Sequence, residues 1–349
     1  MKTKQWLNRG VQVFFVLAAV FMVVHGHASG AVLAMGAFAP AAGLGNLNVA
    51  LSQHAKEFPL STDFVSDILA PRVPVAQRSF QYVVFDRSGQ RHVSTLRLPG
   101  QRPSQIRMGY STDKYFCDSH AVEAAITREA GENAALLNFN LKQKATEHAI
   151  ANIQVDREFE VNALFKTGIT NTEAFTTGTT QWSDYSGVSH PIADVAEAKY
   201  VVSKSGIEAN VLALGPDVIK ALTNHPDLIE RFKYTNPTGN LTIDQISSAL
   251  GVKCVRAGAL STDGADNPSF IWAQMAVLAY NSQVSSMQDI SAAKTFVYMG
   301  TGVDGYEVLD FPDPYLSAKR DLVSVDMVYD TKLTAQETVY TFTNVVAAS

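Results

Sequence analysis

Val211-Leu212-Ala213-Leu214 is an unbroken apolar run stopped by Gly215-Pro216. A run this short, without alternation and closed by Gly-Pro, reads as a buried strand ending in a turn. A chain that holds such a strand must build a core around it, and the residues that follow supply one. Pro216 suits the first position of a helix and Asp217 its first turn. Val218, Ile219, Ala221 and Leu222 give that helix an apolar stripe. His225-Pro226 ends it. Asp227 to Phe232 reads as a second short helix. Thr242 and Gln245 form a capping-box pair opening a third, which Gly251 closes before a strand at Val252 to Val255. The expectation is a compact α/β unit with no catalytic constellation.

Several short motifs recur across this stretch in one order. They are Trp182-Ser183-Asp184-Tyr185, Ser189-His190-Pro191-Ile192, Leu214-Gly215-Pro216-Asp217-Val218 and Asn224-His225-Pro226-Asp227. Arg231-Phe232-Lys233-Tyr234-Thr235 and Leu250-Gly251-Val252 follow. In this the chain resembles the central domain of tailed-bacteriophage major capsid proteins of the HK97-like family. The resemblance runs from about Phe64 to Val346. It implies an α+β, HK97-like phage capsid fold. That fold has an N-terminal arm, an extended hairpin loop, a peripheral domain with a long spine helix, and a central axial α/β domain. The implied boundaries are 35–75 for the arm, 76–113 for the extended loop and 114–180 for the peripheral domain. The axial domain takes 181–283 and the return strands 284–349.

Composition narrows the alternatives. With 46% hydrophobic and 17% charged residues the chain is globular. A net charge of −5 and the lack of a basic stripe argue against a protein that grips nucleic acid through phosphates. Any contact with packaged double-stranded DNA is expected to be weak and non-specific. Two cysteines, Cys117 and Cys254, are too few for a disulfide framework or a zinc site and read as buried reduced thiols.

The start of the chain points elsewhere. Lys2, Lys4 and Arg9 precede an apolar stretch at Val11 to Val24, and Ala28, Ser29 and Gly30 follow. That is the layout of a secretory signal, too short for a comfortable membrane span. Met35-Gly36-Ala37-Phe38-Ala39-Pro40 looks like the ordinary start of a capsid subunit. The expectation is that residues 1–34 form an extension absent from the mature protein. A true signal peptide and an added hydrophobic arm are the competing readings.

Further along, Ala41 to Glu57 reads as a loose arm with a helix from Asn48, and Phe64 to Leu69 as a short helix. Pro71 and Pro74 force extended backbone. Phe80 to Asp86 reads as a strand, Arg87 to Gln90 as a turn and His92 to Leu98 as the returning strand. This excursion carries Arg87, Arg91, Arg97, Arg102 and Arg107, the candidate intersubunit contacts, whose guanidinium forks suit carboxylates. Ser119 is expected to cap a helix with Val122, Ala125 and Ile126 inward. Leu141 to Lys166 is the longest helix candidate, about 40 Å at 1.5 Å per residue, and matches the spine. Thr167 to Thr180 reads as a loop, Phe270 to Tyr280 as strand-like, and Val339 to Val346 as a last strand beside the spine helix.

Enzymatic motifs fail on context. Gly300, Gly302 and Gly305 fit G-x-G-x-x-G, but Tyr306 to Asp310 leads into Pro312 and Pro314 where a dinucleotide site needs a helix. Asp118-Ser119-His120 has triad residue types adjacent in sequence, whereas catalytic partners converge from separate segments. Asp263, Asp266 and Asn267 lack EF-hand spacing and read as a solvated turn. No catalytic, cofactor or metal residues are expected, and no cofactor. The function implied by the resemblance is a shell subunit. It assembles with itself into hexamers and pentamers in the host cytoplasm, joined by scaffolding, portal and decoration proteins, with no membrane association in the mature form. The alternatives are a secreted hydrolase or binding protein, supported by the signal-like start alone, and an encapsulin-like compartment shell. Some shells of this fold are cross-linked from a lysine on the extended loop. Here no lysine lies between Lys56 and Lys114.

Overall fold

A computed structural model describes residues 46–58, 63–85, 92–105, 110–137, 139–175, 180–234, 241–262, 267–282, 286–300, 302, 305–313 and 319–347. The expectations for residues 1–34, Met35 and the first part of the arm lie outside the described residues.

In chain order the body opens with β1 (Asn46–Leu47), α1 (Val49–Glu57), α2 (Ser66–Leu69) and β2 (Arg72–Val75). It continues with β3 (Ser79–Phe85), β4 (Tyr110–Phe116), β5 (Asp118–Thr127), α3 (Arg128–Leu136), α4 (Leu141–Thr167) and β6 (Thr172–Ala174). The middle of the chain forms α5 (Pro191–Ser203), β7 (Val211–Leu214), α6 (Pro216–Thr223), α7 (Pro226–Phe232), α8 (Ile243–Leu250) and β8 (Lys253–Arg256). Then come β9 (Leu260–Thr262), β10 (Pro268–Phe270), β11 (Ala276–Ala279), β12 (Ala293–Tyr298), β13 (Tyr306–Pro312), β14 (Arg320–Leu333) and β15 (Val339–Thr343).

Two sheets carry the body. One has five strands in the order β6-β15-β11-β7-β8. Its β7 and β11 are buried along their whole length, because both faces are covered. Leu212 and Leu214 pack under α5 to α8 with Val195, Val218, Leu222, Ile246 and Trp182. Ala213 and Val277 face the other way, onto Val161, Phe165 and Trp272. Gly215 ends β7 where the backbone comes so close to the carbonyls of Trp272 and Ala273 that any Cβ would collide with them. The expected capping box at Thr242 and Gln245 is present, and Gly251 closes α8 in the left-handed region with φ 64°.

The second sheet runs β1-β13-β14-β12-β2, with β5 also paired to β14. Helix α4 serves both sheets. Its N-terminal half lays Ala149, Ile150 and Ile153 on Val308, Val323, Val325 and Met327 of the second sheet. Its C-terminal half lays Val161 and Phe165 against the first. Asn140 caps its start and Gly168 its end.

Several expectations are corrected. The segment after Ser119 is strand β5, not a helix. It pairs with β14 over ten residues, and His120, Val122, Ala124 and Ile126 turn inward with a period of two. The helix begins only at Arg128. His92 to Leu98 is not a strand; the partner of β3 is β4, in register from Ser79 opposite Phe116 to Phe85 opposite Tyr110. The expected loop after the spine contains β6, which pairs parallel to β15. Phe270 to Tyr280 is broken by a turn at Trp272, leaving β10 and β11 as separate strands. The last strand does lie beside the spine, as expected: β15 sits between β6 and β11 in the five-stranded sheet, Val339 packs with Val161 and Phe165 of α4, and Thr341 Oγ1 donates to the Phe165 carbonyl at 3.2 Å. The helix expected from Asn48 is α1, and it is seated rather than loose, with Leu51 and Ala55 buried among α4 and β13 residues.

Candidate functional site

The β3–β4 hairpin belongs to neither large sheet. It is fixed at its base. Tyr82 and Tyr115 are buried and close on Phe296 of β12, the Tyr115 ring stacked at 4.5 Å and the Tyr82 ring at 5.2 Å. Burial and the neighbouring Asp113 push the Tyr82 hydroxyl well above its ordinary range, so it stays a donor, and it reaches Asp113 Oδ2 at 3.1 Å. The Phe116 amide donates to Asp330 Oδ2 at 2.9 Å, and the Cys117 amide to the Arg78 carbonyl at 2.8 Å.

Beyond this base the excursion has little of its own to pack on. Leu96 is 85% exposed and Leu98 57%. Of the expected contact arginines, Arg97 and Arg102 are exposed and neither pairs with a described residue. Arg87, Arg91 and Arg107 lie outside the described residues. A second apolar group stands out at the turn into the spine helix: Leu136, Leu137 and Phe139 are exposed. Phe139 also lines a cleft of about 590 Å³ together with Ile126, Arg128, Lys142, Arg320 and Asp321.

Sequence reasoning missed a polar belt inside the body. Midway along α4, Gln154, Arg157 and Glu158 are fully buried where the two sheets meet. Arg157 donates to Asp67 Oδ1 at 2.5 Å, to the Ala70 carbonyl at 3.0 Å and to Thr295 Oγ1 at 3.1 Å. Arg72 holds the same carboxylate at 2.7 and 3.0 Å. Burial alone would raise the Asp67 carboxyl, but Arg157 and Arg72 hold it below its ordinary value. Glu158 accepts from the Ser66 amide at 2.6 Å and from Trp272 Nε1 at 2.7 Å, yet burial still raises its carboxyl. The legible signal was spacing: Ile150, Arg157 and Val161 share one helical face, so a charge sits in the apolar stripe.

No arrangement for catalysis emerges among the described residues. Gly302 and Gly305 take φ of 63° and 89° in the turn between β12 and β13, and a Cβ on Gly302 would strike the Tyr306 carbonyl. They are turn glycines between strands. Ser119 lies in β5 opposite Val328 and caps nothing. Cys117 and Cys254 are free and buried in different cores, and burial pushes each thiol up to about 12. Among the described residues no helix is long and apolar enough to cross a membrane.

A spine helix shared by two sheets, with a hairpin thrown clear of both, is the architecture of the HK97-like shell-forming fold. The known structures agree. A crystal structure of a phage-related protein from Bordetella bronchiseptica RB50 aligns with TM-score 0.69 and 25% identity, covering 86% of this chain and 98% of that one. The capsid structure of the cyanophage P-SCSP1u aligns with TM-score 0.54 over 79% of this chain and 86% of that one; at 9% identity it shows the fold alone. Among curated proteins, the major capsid protein of Pseudomonas phage JBD67 is 23% identical over 295 residues, 81% of this chain and 92% of the relative. That of Burkholderia phage BcepMu is 28% identical over 235 residues, 63% of this chain and 72% of the relative. No protein-family profile matches the sequence. The chain has the HK97-like phage capsid fold, and its curated relatives are phage major capsid proteins.

Proposed function

We propose that the chain is the shell-forming subunit of a tailed phage or prophage and does its work through contacts with copies of itself. In this reading hexamers and pentamers close into an icosahedral shell around double-stranded DNA. The observation that carries it is the hairpin, anchored at Tyr82 and Tyr115 while Leu96 and Leu98 stand in water. Fully burying a leucine is worth about 1.5–3 kcal/mol, so an excursion of this kind gains its stability on a neighbour. Arg97 and Arg102, exposed on it, are the residues for carboxylates of the adjacent subunit; Arg87, Arg91 and Arg107 fill out the same role by sequence. A chain with net charge −5 leaves DNA contact weak, so the shell contains rather than grips its cargo. Assembly takes place in the host cytoplasm, with scaffolding, portal and decoration proteins as auxiliary partners. No catalytic role is assigned.

Electron microscopy of the purified full chain tests this. Closed shells or capsomers are expected. Discrete monomers at high protein concentration, under conditions that keep the body folded, would refute it.

A further inference from the structure

On the outer side of the spine helix, three metal-ligating side chains converge from two elements. Asp156 and Glu160 lie one turn apart on α4, and His120 reaches them from β5. His120 Nδ1 is 3.5 Å from Asp156 Oδ2 and 3.7 Å from Glu160 Oε1, and all three donor atoms lie within 4.8 Å of one another. Bonds of ~2.0–2.1 Å in a tetrahedron set ligand atoms about 3.3 Å apart. Two edges of the triangle are therefore already close to that length, and the third needs a small carboxylate rotation.

The surroundings are built for more than an ion pair. The His120 ring is stacked on Tyr329, centroids 4.1 Å apart and planes 19° from parallel, so Nδ1 is held toward the carboxylates. Tyr329 is 1% exposed and its hydroxyl has no hydrogen bond of normal geometry. That hydroxyl lies beside Glu160, the carboxylate it can reach as a donor. Charge points the same way: one imidazole faces two carboxylates, Asp156 and Glu160.

We propose that His120, Asp156 and Glu160 bind a divalent transition-metal ion of the zinc class, pinning the spine helix to strand β5. One imidazole nitrogen with two carboxylate oxygens suits zinc, cobalt or manganese; calcium and magnesium take oxygen shells of six or more ligands. Three protein ligands leave a fourth position for water. The Tyr329 hydroxyl donates to the Glu160 oxygen that the metal leaves free, the outer-shell bond that sets a ligand's orientation. The site uses none of the side chains of the hairpin or of the belt at Arg157.

The test uses the full chain without a histidine tag, titrated with zinc against a chromophoric chelator and with cobalt by visible absorption. One ion per chain is expected, with a tetrahedral cobalt spectrum. Glu160→Gln and Asp156→Asn, at side chains 37% and 63% exposed, should each weaken zinc binding at least tenfold with the metal-free melting temperature unchanged. Tyr329→Phe keeps the stacked ring and should weaken binding several-fold. Absence of binding at 100 µM zinc, or the parent's affinity retained in both carboxylate variants, would overturn the proposal. Displacement of zinc by millimolar magnesium would overturn the assignment of the metal class.

Discussion

Replacing Arg157 with methionine tests whether the polar belt holds the two sheets together. The side chain is fully buried and makes three hydrogen bonds, one of them to a carboxylate. Breaking a buried pair costs about 3–5 kcal/mol when the partner is left alone. Here Asp67 keeps Arg72 at 2.7 Å, and the Ala70 carbonyl keeps Thr295 Oγ1 at 3.1 Å. Arg157 Nε is itself buried without a partner, a cost the methionine removes. The lower end therefore applies, a loss of about 3 kcal/mol. At ~2–4 °C per kcal/mol this lowers the melting temperature by roughly 6–12 °C. Acid sensitivity follows with a definite sign. The Asp67 carboxyl is depressed in the folded state, so its stabilisation is present above pH ~4 and lost as pH falls through the folded value. Without Arg157 that value rises, and acid unfolding moves to higher pH. Urea titrations of parent, Arg157→Met, Asp67→Asn and the double variant give the coupling, expected at about 1–3 kcal/mol. Additive losses, or an Arg157→Met protein as stable as the parent, would refute the reasoning and make the belt a tolerated burden.

Three further outcomes are expected. Glu158 is raised by burial, so its ionisation costs the parent stability as pH climbs from about 4.5 through the raised value; the urea midpoint of Glu158→Gln should gain on the parent's between pH 5 and 7, and a gap that is constant or shrinks contradicts this. Leu96→Asp with Leu98→Asp changes exposed positions, so the melting temperature should hold while electron microscopy finds no shells; normal particles would remove the hairpin from the interface. With no lysine from Glu57 to Asp113 the extended loop lacks an amine to attack a carbonyl, and arginine stays protonated, so particles boiled in detergent should run as one band at the monomer mass, against a ladder if the shell is covalent.

Local signals made much of this fold legible. The spine helix, β7 and the short helices after it announce themselves through caps, prolines and glycines within a few residues of each boundary. What failed was decided at a distance. Ser119, Val122, Ala125 and Ile126 fit a capped helix, but Val122 and Ile126 fit a strand as well, and the ten-residue pairing with β14, two hundred positions away, settled it. Likewise β4 is polar in sequence, and it forms because Tyr115 fits Phe296. The candidate arginines were visible as a class on the excursion, whereas the convergence of His120 with Asp156 and Glu160 depends on β5 being a strand, which sequence spacing had assigned to a helix.

The place of β15 between β6 and β11 governs when a newly made chain can close its five-stranded sheet. Its partners are complete by residue 279, yet until Val339 to Thr343 has been synthesised a gap separates β6 from β11 and leaves an edge of β11 unpaired. Phe342 also belongs to the core beneath the helices, so that core too stays open until then. A growing chain would thus lack a finished five-stranded sheet until Thr343 has been made. Strand order along the polypeptide acts as a clock that delays closure of this core until β15 exists.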